Sequence, residues 1–348
     1  MKLKTVIDII QEISYLHSIL KRYGGSLENG RYHLFNSFRA MSLVDSKDNA
    51  TVYFGWAKSY PKKMKVAKFL NKIGYFKNHS KTTAEYEAFY SANNYDKLRE
   101  IKLFSFKRGK ILTLCTSQSE AEKQIEQHGL FSSAYNMPKV EKKDRYPNSF
   151  EISMIDVKST PSDLDALKTI LDCTTKYNQS TKYLNRKIGR KLIEFSYENQ
   201  EINALLNSIC EKINASVLES EIPMCMQHGD LSKENLIYGQ ADDKIGFWWI
   251  DWEHAGERIF LYDFFFYIIN SAMYFDTKAL DCYLNGDLDD ALNCLFQHFG
   301  LSFSPKNKKD WLLIFMIVFL KERVCGFGRI DALKKYCWFI NEYFGEIK

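Results

Sequence analysis

Four polar residues in the second half of the chain stand at a spacing that could serve chemistry on phosphate groups. His228, Asp230 and Asn235 belong to the segment His-Gly-Asp-Leu-Ser-Lys-Glu-Asn, and Asp251 follows within Ile-Asp-Trp-Glu. One carboxylate can orient an attacking hydroxyl group and take its proton, while a second carboxylate and an amide oxygen can hold a divalent metal ion. Phosphoryl transfer needs little beyond such positioning and charge control. The four side chains are therefore a candidate site for phosphoryl transfer.

The residues around this set predict a strand, a polar loop and a hairpin, in that order. The predicted strands are Pro223–Met226, Asn235–Tyr238 and Ile245–Ile250, with a loop at 228–234 and a turn at Gly239–Lys244. Asp251 would stand at the end of the last strand, and the hairpin would return it to the loop that carries Asp230 and Asn235. Oxygen ligands suit Mg²⁺, which takes its remaining ligands from water and phosphates. Asn235 and Asp251 are thus the candidate magnesium ligands.

The segment His228–Asn235, together with Ile250–Glu253, resembles the signature of the aminoglycoside phosphotransferase and choline kinase superfamily. Members of this superfamily are small-molecule kinases with the protein-kinase fold. The likeness extends to Asp263, where the family has an aspartate that opens the next helix. The specific match lies in the second half of the chain, and the first half matches only in broad pattern.

Carried over by motif position, the resemblance implies a role for each matched residue. It implies that Asp230 is the catalytic base, that His228 holds the catalytic loop, and that Asp263 braces this loop. It also implies that Asn235 and Asp251 bind Mg²⁺, with ATP as the phosphoryl donor. The role of the glutamate that follows the metal aspartate stays open.

The first half of the chain departs from the family's pattern where the nucleotide should bind. It contains no Val-Ala-x-Lys strand and no Gly-x-Gly-x-x-Gly loop. By its position in a predicted hairpin, Lys102 is the first candidate for the lysine that contacts the phosphates, and Lys110 is the second. Glu122 is the candidate partner on the following helix, with Glu120 and Glu126 close behind.

The segment after the second predicted hairpin would meet the adenine ring, as the hinge of a kinase does. It runs from Met154 to Val157. An alternative assignment of the lysine–glutamate pair uses Lys77 with Glu87, on a helix predicted at Thr82–Ser91. We prefer the assignment of Lys102 and Glu122, because the second hairpin must follow the small-lobe helix directly.

The order of predicted elements indicates an α+β protein with a bilobal, protein-kinase-like fold. A hairpin at residues 101–115, a helix that a capping box opens at Ser117 or Ser119, and a second hairpin at 137–155 follow one another. They predict a small antiparallel-sheet N-lobe at residues 96–157. A mainly helical C-lobe, with the catalytic loop, is expected at residues 158–348.

Residues 1–95 are left as an N-terminal extension of a helix and short strands. An apolar stripe at helical spacing runs from Leu3 to Leu20, and Gly24 ends the helix. Tyr32–Ala57 reads as short strands, and Met64–Gly74 as a second helix. No internal repeat and no low-complexity linker interrupts the chain.

The composition predicts a folded protein in a reducing compartment. The chain has 348 residues, of which 45% are hydrophobic, and this is ample for a core. Its 8 cysteines are scattered without a Cys-x-x-Cys pair, so reduced thiols in a cytoplasmic protein are expected. The apolar runs Trp311–Leu320 and Phe260–Phe275 are too short or too polar for a spanning helix of about 20 apolar residues, and predict buried helices.

The partner expected from the sequence is a small molecule that carries a hydroxyl group. A sugar or amino sugar of cell-surface polysaccharide metabolism, an aminoglycoside and a choline-like amine all remain open as acceptors. No nucleic-acid partner is indicated, and the basic run Pro61–Lys68 is compatible with peripheral contact to an anionic membrane. The oligomeric state stays open.

Two other functions compete with a small-molecule kinase. A pseudokinase, acting as a binding or scaffolding module, is favoured by the unclear phosphate lysine and the missing glycine loop. It is disfavoured by the intact set of Asp230, Asn235 and Asp251. A protein Ser/Thr kinase is disfavoured by Gly229, where protein kinases usually carry arginine, and by the lack of an Ala-Pro-Glu segment.

Overall fold

A computed structural model describes most of the chain and divides it into two compact units. The described residues are 3–35, 38–54, 61–79, 84–91, 100–142, 146–159, 161–180, 185–195, 200–325, 336 and 339–343. The first unit comprises Met1–Gly129, Pro138–Lys158 and Gln240–Ile245, and the second comprises Leu130–Met137, Ser159–Gly239 and Gly246–Lys348. One unit is built on an antiparallel sheet and the other is mainly helical, so the predicted α+β class is confirmed.

The first unit is built on an antiparallel sheet with flanking helices. Its elements are α1 (Leu3–Tyr23), β1 (Gly30–Leu34), β2 (Ala40–Leu43), α2 (Lys47–Phe54), α3 (Pro61–Ile73), β3 (Lys77–Asn78), β4 (Ala88–Ser91), β5 (Ile101–Ser105), β6 (Lys110–Leu114), α4 (Gln118–Phe131), β7 (Val140–Lys142), β8 (Ser149–Ser153) and β9 (Asp156–Val157). Eight strands form one sheet in the order β3-β1-β2-β4-β5-β6-β8-β7. The two predicted hairpins and the helix between them are confirmed as β5–β6, α4 and β7–β8.

One face of this sheet packs on α1. The helix buries Leu16 and Leu20 in a cluster with Phe89, Leu103 and Leu112 of the strands. The apolar stripe of α1 is thus a core face, as its spacing predicts. The strands β1 to β4 lie within the predicted extension of residues 1–95, and β4 pairs with β5 to form one continuous sheet.

Two predictions for the first hundred residues are wrong. The predicted helix at Thr82–Ser91 is a strand over its described end, because Ala88–Ser91 pairs with both β2 and β5. Pairing on both sides overrides the local helix propensity of Ala and Glu. The predicted strands across Tyr32–Ala57 end at Leu43, and α2 occupies Lys47–Phe54. Residues 55–57 lie outside the described part.

The second unit is mainly helical. Its elements are α5 (Asp163–Ser180), β10 (Asn185–Ile188), α6 (Gly189–Leu192), α7 (Gln200–Cys210), α8 (Ala215–Leu218), β11 (Glu221–Gln227), β14 (Gly256–Ile259), α9 (Tyr262–Met273), α10 (Lys278–Asn285), α11 (Asp289–His298), α12 (Lys308–Phe319) and a π-helical turn (Leu320–Cys325). The hairpin of β12 (Leu236–Ala241) and β13 (Lys244–Trp249) also belongs to this unit, except for its tip at Gln240–Ile245, which is assigned to the first unit. β11 pairs with β10 on one side and β14 on the other. The helix predicted at Glu201–Leu218 is interrupted between α7 and α8.

The core of this unit centres on α9 and α12. Both helices are buried on nearly every side, which agrees with the buried helices predicted for the two longest apolar runs. An aromatic cluster joins them, in which Phe265 packs on Phe315 and Tyr283. Within the described part of the chain, no helix combines the length and the apolar character needed to cross a bilayer.

Candidate active site

A strand, a loop and a hairpin carry the candidate site residues, in the order that the sequence predicts. β11 ends at Gln227, and the loop that follows leads into β12, which pairs with β13. The turn between β12 and β13 is narrower than predicted. Only Asp242 and Asp243 form it, with φ of 45° and 63°. Two consecutive residues with positive φ are typical of a tight hairpin turn.

His228 ties this loop to the end of β13. The side chain is fully buried, and its Nε2 lies 2.7 Å from the carbonyl oxygen of Ile250. Because a carbonyl only accepts, Nε2 carries the proton. The other ring nitrogen, Nδ1, then accepts from the backbone N–H of Asp230 at 3.3 Å. The neutral Nε2-protonated tautomer satisfies both contacts, so His228 links the residue before Asp251 to the residue proposed as base.

Asn235 adds a second link between the same two segments. Its side-chain Nδ2 donates to the carbonyl oxygen of Asp230 at 2.8 Å. Its own carbonyl oxygen accepts from the N–H of Ile250 at 3.1 Å. The side-chain Oδ1 accepts no hydrogen bond from the described residues, and it remains available for a metal ion.

Asp251 lies directly after β13, with an unusual backbone conformation and an exposed side chain. It follows β13 in the left-handed region, with φ 68° and ψ 58°, between the buried Trp249 and Trp252. Its carboxylate is exposed and has no hydrogen-bond or ion-pair partner among the described residues. An oxygen from Asn235 and a carboxylate from Asp251 form a hard-donor set that fits Mg²⁺. Within the described residues no three His, Cys, Asp or Glu side chains cluster as a metal site.

Asp263 fixes the start of the loop from the first turn of α9. Its buried carboxylate accepts from the N–H of His228 at 2.6 Å and from the N–H of Gly229 at 2.8 Å. Burial raises the pKa of this carboxyl, and the two amide donors and the charge of Arg258 oppose the rise. The aspartate that the motif resemblance named as a brace therefore does contact the loop directly.

Lys233 anchors the far end of the loop, and sequence reasoning missed this contact. Its ammonium lies 2.6 Å from Asp163 and 2.8 Å from Asp276, and 5.8 Å from the ring centre of Tyr267. Burial acts to lower the pKa of Lys233, but its hydrogen bonds to the two carboxylates outweigh burial and raise it. The only sequence signal was a lysine inside the motif.

The nucleotide candidates lie in the first unit, and the predicted pair of Lys102 and Glu122 is not the pair observed. Lys102 on β5 forms its ion pair with Glu100, at 3.0 Å. Gln124 of α4 donates to the same glutamate at 3.4 Å. Glu122 is exposed and accepts from a glutamine one turn earlier on α4. The link between strand and helix thus runs through Glu100.

The other candidates for the lysine pair have partners of their own. Lys110 bonds Glu141 at 3.3 Å, and Glu120 caps the start of α4 by accepting from the N–H of Thr116 at 3.2 Å. The alternative pair of Lys77 and Glu87 fails because Glu87 is on no helix. Its buried carboxylate instead accepts from the N–H of Phe106 at 2.9 Å.

The predicted hinge residues follow β8 in the same unit. Met154 is half-buried, packs with the cluster around Phe104, and donates its N–H to the carbonyl of Gly109 at 2.8 Å. Val157 ends the two-residue strand β9 with its side chain exposed. Their assignment to the adenine ring stays a prediction.

Comparison with known proteins gives similarities of fold only. No protein-family model and no curated protein sequence matches the chain. Similar solved structures include aminoglycoside phosphotransferase APH(4)-Ia (14% identity, 68% of this chain and 86% of that chain, TM-score 0.42). They also include choline kinase LicA from Streptococcus pneumoniae (11%, 73% and 94%, 0.40) and macrolide 2'-phosphotransferase MphH from Brachybacterium faecium (12%, 69% and 87%, 0.40).

Proposed function

We propose that the chain is an ATP-dependent kinase that transfers a phosphoryl group to a hydroxyl of a small molecule. The observation that carries this proposal is the exposed carboxylate of Asp251, which has no partner among the described residues. His228 and Asn235 each bond the residue before it, so the same network holds the loop with Asp230. Such a network fixes catalytic groups before substrate arrives.

Asp230 is the proposed base. Its carboxylate would orient the acceptor hydroxyl and accept its proton as the new oxygen–phosphorus bond forms and ADP leaves. Help of this kind contributes roughly 10²–10⁴-fold to the rate. The backbone of Asp230 is held on both sides, by the ring of His228 at its N–H and by the amide of Asn235 at its carbonyl.

Asn235 and Asp251 are the proposed ligands of Mg²⁺, which when bound supplies positive charge to the phosphates. Lys102 is the proposed contact to those phosphates, and its ammonium forms an ion pair with Glu100. Met154 and Val157 are the proposed contacts to adenine. Cys115, Cys173, Cys210, Cys225, Cys282 and Cys294 are free thiols, which supports a reducing, cytoplasmic setting.

The acceptor belongs to one of the three classes left open by the sequence. We favour a sugar or amino-sugar hydroxyl over a choline-like amine. The test is a screen with labelled ATP and Mg²⁺ against sugars, aminoglycosides and choline-like amines. Transfer of label to one class would assign it.

Asp230→Asn provides the decisive variant for the reaction. We expect it to lower the turnover number by at least about 100-fold, since it removes the base but keeps the shape of the side chain. Asp290→Asn, on an exposed face of α11, is the matched control and should retain full turnover. Equal activity of both variants would refute the role of Asp230.

A pseudokinase is the second candidate, and the missing glycine-rich loop favours it. It predicts Mg²⁺-dependent nucleotide binding without label transfer to any acceptor and without ATP hydrolysis. Calorimetric titration with MgATP, beside the labelled screen, separates the two functions.

A further inference from the structure

Arg258 of β14 is fixed by three different partners. Its Nε lies 3.1 Å from each carboxylate oxygen of Glu322, and its Nη2 also bonds that carboxylate. Its Nη1 donates to the carbonyl of His254 at 2.9 Å, and the guanidinium lies 4.9 Å from the ring centre of Tyr262. The side chain is only 12% exposed. A two-pronged pair of this kind holds a guanidinium in one orientation.

The guanidinium lies directly against the backbone of Gly229, in the catalytic loop. A Cβ placed on Gly229 would overlap the carbonyl of His254 and lie 2.6 Å from Nη1 of Arg258. The φ of Gly229 is +82°, a conformation that L side chains rarely adopt. Glycine therefore serves two needs here, which are the backbone turn and the close approach of Arg258.

The peptide at Gly229 is thus held on two sides. Asp263 binds its N–H, and Arg258 packs against its Cα. These contacts set the direction in which the chain leaves for Asp230, the next residue. Glu322 lies in the π-helical turn after α12, far away in sequence, and its carboxylate keeps Arg258 from moving.

We propose that Arg258 and Glu322 are positioning residues for the proposed phosphotransfer reaction, on which this inference rests. Arg258 acts through Gly229 to orient the carboxylate of Asp230, and Glu322 acts by fixing Arg258. Neither residue contacts Asn235 or Asp251, the proposed magnesium ligands. Loss of the pair should therefore lower the turnover number and leave the KM for MgATP nearly unchanged.

The test compares two Glu→Gln variants that break chemically equal pairs. Glu322→Gln removes the charge that holds Arg258, and Glu219→Gln removes the same charge from the exposed pair with Arg190. The readouts are kcat and KM for Mg²⁺-dependent ATP hydrolysis with water as acceptor, hydrogen exchange at the amide of Gly229, and the urea midpoint. Glu322→Asp, which keeps a carboxylate, serves as the conservative variant.

We expect Glu322→Gln to lower kcat by about 10- to 100-fold, because small displacements of a catalytic group cost that much. KM should stay within about twofold, as removal of an interaction specific to the transition state requires. Exchange at Gly229 should quicken, Glu322→Asp should recover part of kcat, and Glu219→Gln should match the wild type. An unchanged kcat in Glu322→Gln, or an equal loss in Glu219→Gln, would overturn the proposal.

The outcome also separates this inference from the proposed function. If the wild type hydrolyses no ATP and transfers no label, the proposed function fails. Hydrogen exchange at the amide of Gly229 then tests only whether Arg258 and Glu322 hold this part of the backbone. Faster exchange in Glu322→Gln than in Glu219→Gln supports the positioning contact, and equal exchange rejects it.

Discussion

Replacement of Asp251 by glycine should separate the protein's stability from the metal binding that we propose for this residue. Asp251 has φ 68° and ψ 58°, in the left-handed region. For an L residue other than glycine this conformation costs about 1–2 kcal/mol, with Asp and Asn towards the lower end. The carboxylate has no partner among the described residues that the substitution would break. The substitution should therefore relieve strain in the native state without breaking a contact among the described residues.

The expected gain follows from two opposing terms. Relief of the left-handed conformation contributes about 1 kcal/mol. Glycine has more conformational freedom in the unfolded chain, and this lowers the free energy of unfolding by about 0.5–1 kcal/mol. The free energy of unfolding of Asp251→Gly should therefore equal or exceed that of the wild type by up to about 0.5 kcal/mol. Asp251→Ala keeps the strain and should be less stable than Asp251→Gly by about 1 kcal/mol.

Urea unfolding followed by tryptophan fluorescence suits this test, because the buried Trp249 and Trp252 flank the substituted residue. Calorimetric titration with MgADP, with and without EDTA, measures metal-dependent nucleotide binding. Asp243→Gly is the matched control. It also has a positive φ, of 63°, in an exposed turn. It should give the same small change in stability and unaltered binding.

Two results would refute this reasoning. A loss of more than about 1 kcal/mol in Asp251→Gly would mean that the carboxylate is part of the fold, because a lost structural hydrogen bond costs that much. Metal-dependent binding that survives in Asp251→Gly would mean that the carboxylate is no ligand. The predicted combination, stability kept and binding lost, is typical of strain stored at a functional residue.

Three further substitutions test the loop. Gly229→Ala should lower the free energy of unfolding by about 2–5 kcal/mol in urea, from left-handed strain and the overlap with its neighbours. Asp263→Asn should cost about 1–3 kcal/mol in the same assay, because an amide nitrogen would face a buried N–H donor. Lys233→Met should lower the stability at neutral and mildly acidic pH but not in strong acid. Lys233 lowers the pKa of Asp276, so its contribution is complete above about pH 3.9 and disappears as acid titrates that carboxylate.

The local course of the site could be predicted from the sequence. The apolar runs on both sides of the loop predict strands, and those strands are β11, β12 and β13. The motif has fixed offsets, so Asp230 and Asn235 must share one loop. The strand β12 extends to Ala241 because two aspartates suffice to turn the chain, and a sequence window shows the turn residues but not their φ angles.

The first hundred residues were harder because pairing partners are not visible in a local pattern. Ala88–Ser91 contains alanine beside a glutamate, which favours a helix locally. The strand forms because β2 and β5 offer hydrogen bonds on both edges. The partner of Lys102 was missed for a different reason. Glu100 is only two residues away, but the kinase pattern directed the prediction to a glutamate on α4.

The loop itself shows why the residues that position a site escape sequence reasoning. Its contacts come from Asp163, Arg258, Asp263 and Asp276, each on a different element or turn. A motif reports side chains that act on substrate, whereas the orientation of Asp230 depends on groups that hold its backbone. Any one of these groups is an ordinary charged residue in the sequence. Only the fold brings these groups to one loop, so a local sequence pattern does not show them.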